Sequence, residues 1–275
     1  MIAGFMLGLR EGLEAALIVG IVFGVLTKAR RTEFAPAVWG GVVGAIFVSL
    51  GVALALNRVG TSLEGEAEEI FEGLTMLFAA GLLTWMIFWM QGQGGQVKQT
   101  LESNVRRAAS SGQVWGLFTM SFITVLREGI ETALFLTAAA MTANAQETFI
   151  GGLAGLLTAA VLGLLLFAAT ARLSVRRFFQ ITSVFLILFA AGLLAHGVHE
   201  LNEVGWIPTI VEHVWDLNPI LDENSTLGLF LKTLFGYNGN PSLTEVIAYL
   251  GYFVVIFLGV RYMGRDPSKM TLTTE

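Results

Sequence analysis

The nine residues Leu-Arg-Glu-Gly-Leu-Glu-Ala-Ala-Leu at 9–17 return as Leu-Arg-Glu-Gly-Ile-Glu-Thr-Ala-Leu at 126–134. Each copy offers two carboxylates three residues apart, Glu11 with Glu14 and Glu128 with Glu131, and one guanidinium, Arg10 or Arg127. On a helix, residues three and four apart share a face, so each glutamate pair projects together and each arginine lies under the later glutamate. Both copies sit inside long apolar runs. Placing an ionised side chain at the middle of a bilayer costs at least about 2.5–3.5 kcal/mol on insertion scales, so such groups are rare and mark a function. Four carboxylates against two guanidinium groups leave a net negative site, which is a place to hold a cation. The competing reading is a pair of neutralised Arg–Glu ladders that lock helices together. The doubling and the surplus of carboxylates favour the cation site. Gly12 and Gly129 are expected to allow close helix approach rather than to touch a ligand.

Composition places these motifs in a membrane. The 275 residues are 55% hydrophobic and 13% charged, with 32 glycines, and the mean hydropathy is +0.71, whereas a soluble domain carries about 25% charged residues. A net charge of −5 argues against a nucleic-acid binder. With no cysteine, thiolate and iron–sulfur ligation are excluded, so a metal must be held by oxygen or imidazole, which favours hard cations. No basic segment precedes the first apolar stretch, so the first helix is expected to remain in the mature protein.

Seven stretches are long enough to span a hydrocarbon core about 30 Å thick: 2–27, 36–57, 69–90, 114–142, 148–171, 179–201 and 243–263. Pro36 suits the first turn of its helix. Lys28, Arg30 and Arg31, then Lys98, Arg106 and Arg107, then Arg172, Arg176 and Arg177, and finally Arg261, Arg265 and Lys269 all fall on one side; only Arg58 and Lys232 fall on the other. The positive-inside rule therefore places the N-terminus outside and the C-terminus in the cytoplasm. Acidic residues such as Glu64, Glu66, Glu68, Glu147 and Glu212 gather on the outer side, where they concentrate cations or simply populate exported loops.

The repeat extends beyond the motif. Phe-Ala-Ala-Gly-Leu-Leu at 78–83 recurs at 189–194, so spans one to three correspond to spans four to six. With three spans per unit, the second unit must enter from the opposite side, and inverted repeats of this kind place a transport site at their interface near the midplane. The expectation is an all-α membrane protein of seven transmembrane helices forming one domain. The first repeat covers 1–92, the second 113–201, an outer loop 202–242, the seventh helix 243–263 and a cytoplasmic tail 264–275. The symmetry is expected to bring Glu14 towards Glu131.

Arg-Glu-Gly-Leu-Glu in the first span and its near-copy in the fourth resemble the signature of the oxidase-dependent iron transporter family, which includes fungal high-affinity iron permeases and the bacterial Efe-type permease. The resemblance runs along nearly the whole chain. The third span opens with Glu69-Ile-Phe-Glu72-Gly73 and ends in Trp85-Met-Ile-Phe-Trp89-Met90, and Phe235-Gly-Tyr237 with Pro241-Ser-Leu-Thr-Glu245 looks like the bacterial branch. Ile130 stands where the family usually has Leu. The resemblance implies an iron permease of the inner membrane, with Glu11, Glu14, Glu128 and Glu131 as ligands, Arg10 and Arg127 balancing charge, and Glu69 and Glu72 receiving the ion at the outer end of span three. Carboxylate chemistry alone admits ferric iron, ferrous iron or manganese; the family selects iron. It also implies extracytoplasmic iron-binding or oxidase- and peroxidase-like partners, and no cofactor beyond the transported ion.

His196, His199 and Glu200 form a His-x-x-His-Glu cluster near the outer end of span six, a ligand set or an interfacial hydrogen-bonding group; the His-Glu-x-x-His order of zinc proteases is absent. Met76, Met86 and Met90 are expected to pack. Against a transporter stands an intramembrane carboxylate-bound metal enzyme, and after it a scaffold subunit. Symmetric carboxylate pairs suit passage better than asymmetric chemistry.

Overall fold

The computed structural model describes residues 1–93, 96–167, 175–223 and 225–263. Arg172, Arg265, Lys269, the end of the fifth expected span at 168–171 and the tail 264–275 lie outside the described residues, as do the side chains of Met90, Lys98, Arg176 and Arg177. Among the described residues all regular structure is helical: α1 (Ile2–Lys28), a 3-10 turn (Thr32–Phe34), α2 (Ala35–Ser62), α3 (Glu66–Gln93), α4 (Gln96–Ser110), α5 (Val114–Met141), α6 (Ala145–Phe167), α7 (Val175–Glu203), α8 (Thr226–Phe235) and α9 (Leu243–Met263). Pro36 lies in the first turn of α2.

Among the described residues, five segments are long and apolar enough to cross a membrane: Thr32–Ser62, Glu66–Trp89, Ala145–Leu166, Phe178–Glu203 and Leu243–Tyr262. Helices α1 and α5 have the length, 27 and 28 residues, but each carries the three charges of its motif near its middle. The two helices that depart from a purely apolar span are therefore the two that hold the candidate site.

Two helices were not expected. The apolar side chains of α4, Leu101, Val105, Ala108 and Ala109, pack against Val22, Val25 and Leu26 of α1 and Leu117 of α5. Its other face exposes Ser103, Asn104, Arg106 and Arg107. The loop 202–242 contains α8. The Ser225 hydroxyl accepts from the Gly228 N–H at 3.0 Å, and Gly236, at φ 68°, takes the left-handed conformation that ends the helix.

The described residues of Met1–Glu72 and Gly95–Val184 form one compact unit, and those of Gly73–Gly94 and Phe185–Glu275 a second. In the first, α1 runs along α6 and α2 along α5, while α1 also meets α5. The two long pairings use matching positions. A Cβ at Gly41 would meet the Phe118 carbonyl and, at 3.0 Å, the Phe122 amide; one at Gly151 would meet the Met1 carbonyl and, at 3.1 Å, the Phe5 amide. Phe118 and Phe122 follow Met1 and Phe5 by the interval that separates the two motifs. Motif glycines do the same: a Cβ at Gly12 would lie 2.7 Å from the Ala159 Cβ, and one at Gly129 would lie 2.7 Å from the Ser49 Cβ. Glycine lets these backbones approach within membrane helices, where close packing replaces the hydrophobic drive.

In the second unit, α3 and α7 meet where Gly73 faces Gly197: a Cβ at Gly73 would lie 3.1 Å from the Gly197 carbonyl oxygen, and one at Gly197 would lie 3.0 Å from that of Gly73. The repeated hexapeptide has two environments: Phe189 is buried, while Phe78 is exposed. Met76 and Met86 are buried. The Thr84 and Tyr252 hydroxyls meet at 3.1 Å. Ser242 and Glu245 close a reciprocal capping box at the start of α9. The Ser242 N–H donates to Glu245 Oε1 at 3.0 Å and the Glu245 N–H to Ser242 Oγ at 3.3 Å.

Candidate metal centre

Both motifs fold into helix interiors, where the peptide groups satisfy one another and only side chains remain available for chemistry. In α1, Arg10 is almost fully buried. Its NH1 donates to Glu11 Oε1 at 2.6 Å and its NH2 pairs with Glu14 Oε1 at 2.9 Å. In α5, Arg127 donates from Nε (3.1 Å) and NH2 (2.6 Å) to Glu128 Oε1, and its Nε lies 3.6 Å from Glu131 Oε1. Each guanidinium thus binds the adjacent glutamate at 2.6 Å and the next one along the helix at a longer distance, 2.9 Å for Arg10 and 3.6 Å for Arg127. The copies differ in burial: the Arg10 side chain is 1% exposed and that of Arg127 is 43% exposed.

Glu11, Glu128 and Glu131 are buried, and one carboxylate oxygen from each lies within 4.8 Å of the others. Glu11 Oε2 and Glu128 Oε2 are buried with no hydrogen-bond partner among the described residues. An orphaned buried acceptor loses its hydration without replacement. Three carboxylates this close repel unless a cation or proton lies among them. The donor set is all oxygen, as hard cations prefer. Glu11, not Glu14, carries the first motif's contribution to the trio; Glu14 stands beside it, paired to Arg10. Glu11 thus reaches both glutamates of the second copy, and Glu14 also lies close enough to interact electrostatically with Glu128 and Glu131.

The other sequence candidates are not members of the trio. Glu69 and Glu72 are half-buried, one turn apart near the start of α3. His196 is buried, and its Nδ1–H donates to the Gly192 carbonyl at 3.0 Å, a bond within its own helix. His199 bonds from Nδ1 to Glu245 Oε1 at 3.1 Å, and its Nε2 lies 3.7 Å from Glu203 Oε1. Glu200 is half-buried on the same turn. Glu203 and Glu245 carry no site role in the sequence: Glu245 reaches His199 from another helix, and only the i,i+4 spacing of His199 and Glu203 announces their contact. Ser49, a half-buried residue whose hydroxyl oxygen is buried beside Gly129, carries no sequence signal at all.

Several apolar membrane-length helices mark a multi-pass membrane protein, and its buried cluster of carboxylates has the make-up of a candidate cation site. The chain belongs to the iron permease FTR1 family, whose profile matches residues 1–266. It is similar to the ferrous iron permease EfeU of Escherichia coli O6:H1, 36% identical over 256 residues that cover 92% of this chain and 93% of the relative. EfeU of Yersinia pestis is 35% identical, covering 92% and 91%, and that of Yersinia pseudotuberculosis serotype I is 35% identical over 252 residues, covering 91% and 88%. No solved structure matches the chain.

Proposed function

We propose that the protein carries iron across the cytoplasmic membrane through one carboxylate site assembled from both Arg-Glu-Gly-x-Glu motifs. Glu11, Glu128 and Glu131 are the central ligands, with Glu14 beside them. The observation that carries this reading is the convergence of three buried carboxylates from two helices on a space less than 5 Å across. Arg10 and Arg127 hold the carboxylates in place and offset part of their charge when no ion is present. Ferrous iron is the species the chain takes, supported by the name its relatives bear; an oxygen-only site also suits the ferric ion.

The topology that goes with this site has seven transmembrane helices, α1, α2, α3, α5, α6, α7 and α9. They form a 3+3 inverted repeat followed by the seventh, with the N-terminus outside. The matched approaches at Gly41 and Gly151, and at Gly12 and Gly129, support the repeat. In that orientation Glu69 and Glu72 stand at the outer end of α3 and receive the incoming ion, and extracytoplasmic iron-handling proteins deliver it. The test is uptake of radioactive iron by proteoliposomes that contain this protein alone. Accumulation above that of empty liposomes, saturating with iron, is expected; no uptake of either iron valence under any imposed gradient would contradict the reading.

A further inference from the structure

We propose that His199 and Glu203 on α7 form a second cation site, one that takes a divalent transition metal and is built wholly from residues of the second unit, with Glu245 orienting the imidazole. Glu245 is 3% exposed, yet both its oxygens are engaged by donors. Oε1 accepts from the Ser242 N–H at 3.0 Å and Oε2 from the Asn238 amide at 2.7 Å. It is therefore held as a carboxylate that can only accept. The His199 Nδ1 at 3.1 Å from Oε1 must then carry the proton, which in the neutral ring leaves the Nε2 lone pair free.

That lone pair faces another acceptor. Glu203, one helical turn on, places Oε1 3.7 Å from Nε2. The distance is too long for a hydrogen bond. It is close to the roughly 3.4 Å that separates two ligands of a tetrahedral ion with bonds of ~2.1 Å. The His199 and Glu203 side chains are 38% and 56% exposed, so water can fill the remaining positions and the ion can exchange. A carboxylate behind the distal nitrogen of a metal-binding histidine fixes its tautomer and raises its basicity. Imidazole with carboxylate suits ferrous iron, manganese and zinc. The competing arrangement is a doubly protonated His199 that merely bridges two glutamates. The further role of this site, collecting the cation that the permease moves, rests on the iron-transport reading above.

Co2+ is the probe, because its visible absorption reports nitrogen ligation. The full chain is titrated in detergent in a Glu128→Gln background, which weakens the motif site. One equivalent with a nitrogen-ligated spectrum is expected. His199→Gln should abolish that spectrum and Glu203→Gln should weaken binding at least tenfold. Glu245→Gln should weaken it by about 10–100-fold, the usual effect of losing such a partner. Should His199→Gln fail to fold, Zn2+ should protect His199 of the unsubstituted protein from diethyl pyrocarbonate, read by mass spectrometry. Equal Co2+ binding with and without His199, the absence of a nitrogen-ligated band in the Glu128→Gln protein, or modification of His199 at the same rate with Zn2+ present would overturn the proposal. The outcome is separable from transport: a protein that binds Co2+ here yet moves no iron keeps this site and removes the permease reading, and iron uptake without the Co2+ band does the reverse.

Discussion

Replacing Glu128 with Gln should weaken iron binding severely while leaving the fold at least as stable. Glu128 Oε1 takes two bonds from Arg127, and its Oε2 lies buried with no partner, in a trio with Glu11 and Glu131. In Glu128→Gln the amide oxygen keeps the Arg127 bonds, and the amide nitrogen turns towards the two remaining carboxylates and donates to them. A like-charge repulsion is replaced by attraction. For a cation the change is adverse. A unit charge at ~4 Å contributes about 4 kcal/mol at an effective dielectric of 20, and a divalent ion feels twice that. Water and the amide dipole recover much of the gross value. A net loss of at least ~2 kcal/mol, or roughly 30-fold in affinity, remains. Equilibrium binding of radioactive iron to the purified protein reads the affinity, and thermal unfolding in the same detergent reads the stability. Affinity within twofold of the unsubstituted protein would refute the ligand role. A lowered Tm with lost binding would show instead that Glu128 locks helices together.

Three further outcomes follow. Gly151→Leu should lower the yield of folded protein and its Tm, because the side chain would drive into the Met1 and Phe5 backbone; overpacking of this kind costs about 1–3 kcal/mol. Gly24→Ala is the control, since a Cβ there meets nothing within 4 Å and should raise the Tm through helix propensity. A reporter in the turn at 29–34 should read cytoplasmic and one in the loop at 206–223 extracytoplasmic; the reverse pattern would invert the proposed threading. Ser225→Ala removes the cap of α8 and should cost about 1 kcal/mol, read as faster proteolysis of the loop with iron binding unchanged.

The membrane helices were legible because each is a long apolar run bounded by charge or turn residues, a pattern that a bilayer imposes directly. The amphipathic α4 was not, since its apolar positions Leu101, Val105 and Ala109 recur every four residues within a polar stretch and become a helix face only once α1 and α5 offer a surface. The loop helix α8 was hidden by its shortness. At the site, residue types and doubling pointed to Glu11, Glu14, Glu128 and Glu131. Which of them converge depends on the rotation of α1 against α5, which spacing within one helix does not encode. That Glu11 closes a trio with the second motif's pair is fixed by this rotation. The His199–Glu245 contact likewise joins residues 46 apart, and no local pattern announces it.

The central claim is that both motifs build one site rather than two. Initial rates of radioactive iron uptake by proteoliposomes test it most directly, comparing the unsubstituted protein with Glu11→Gln, Glu128→Gln and the double variant at matched protein content. A composite site predicts that either single substitution, one from each motif, already brings uptake to the level of empty liposomes, so that the double variant falls no further. Two single variants that each keep about half the rate, with the loss adding in the double variant, would contradict it.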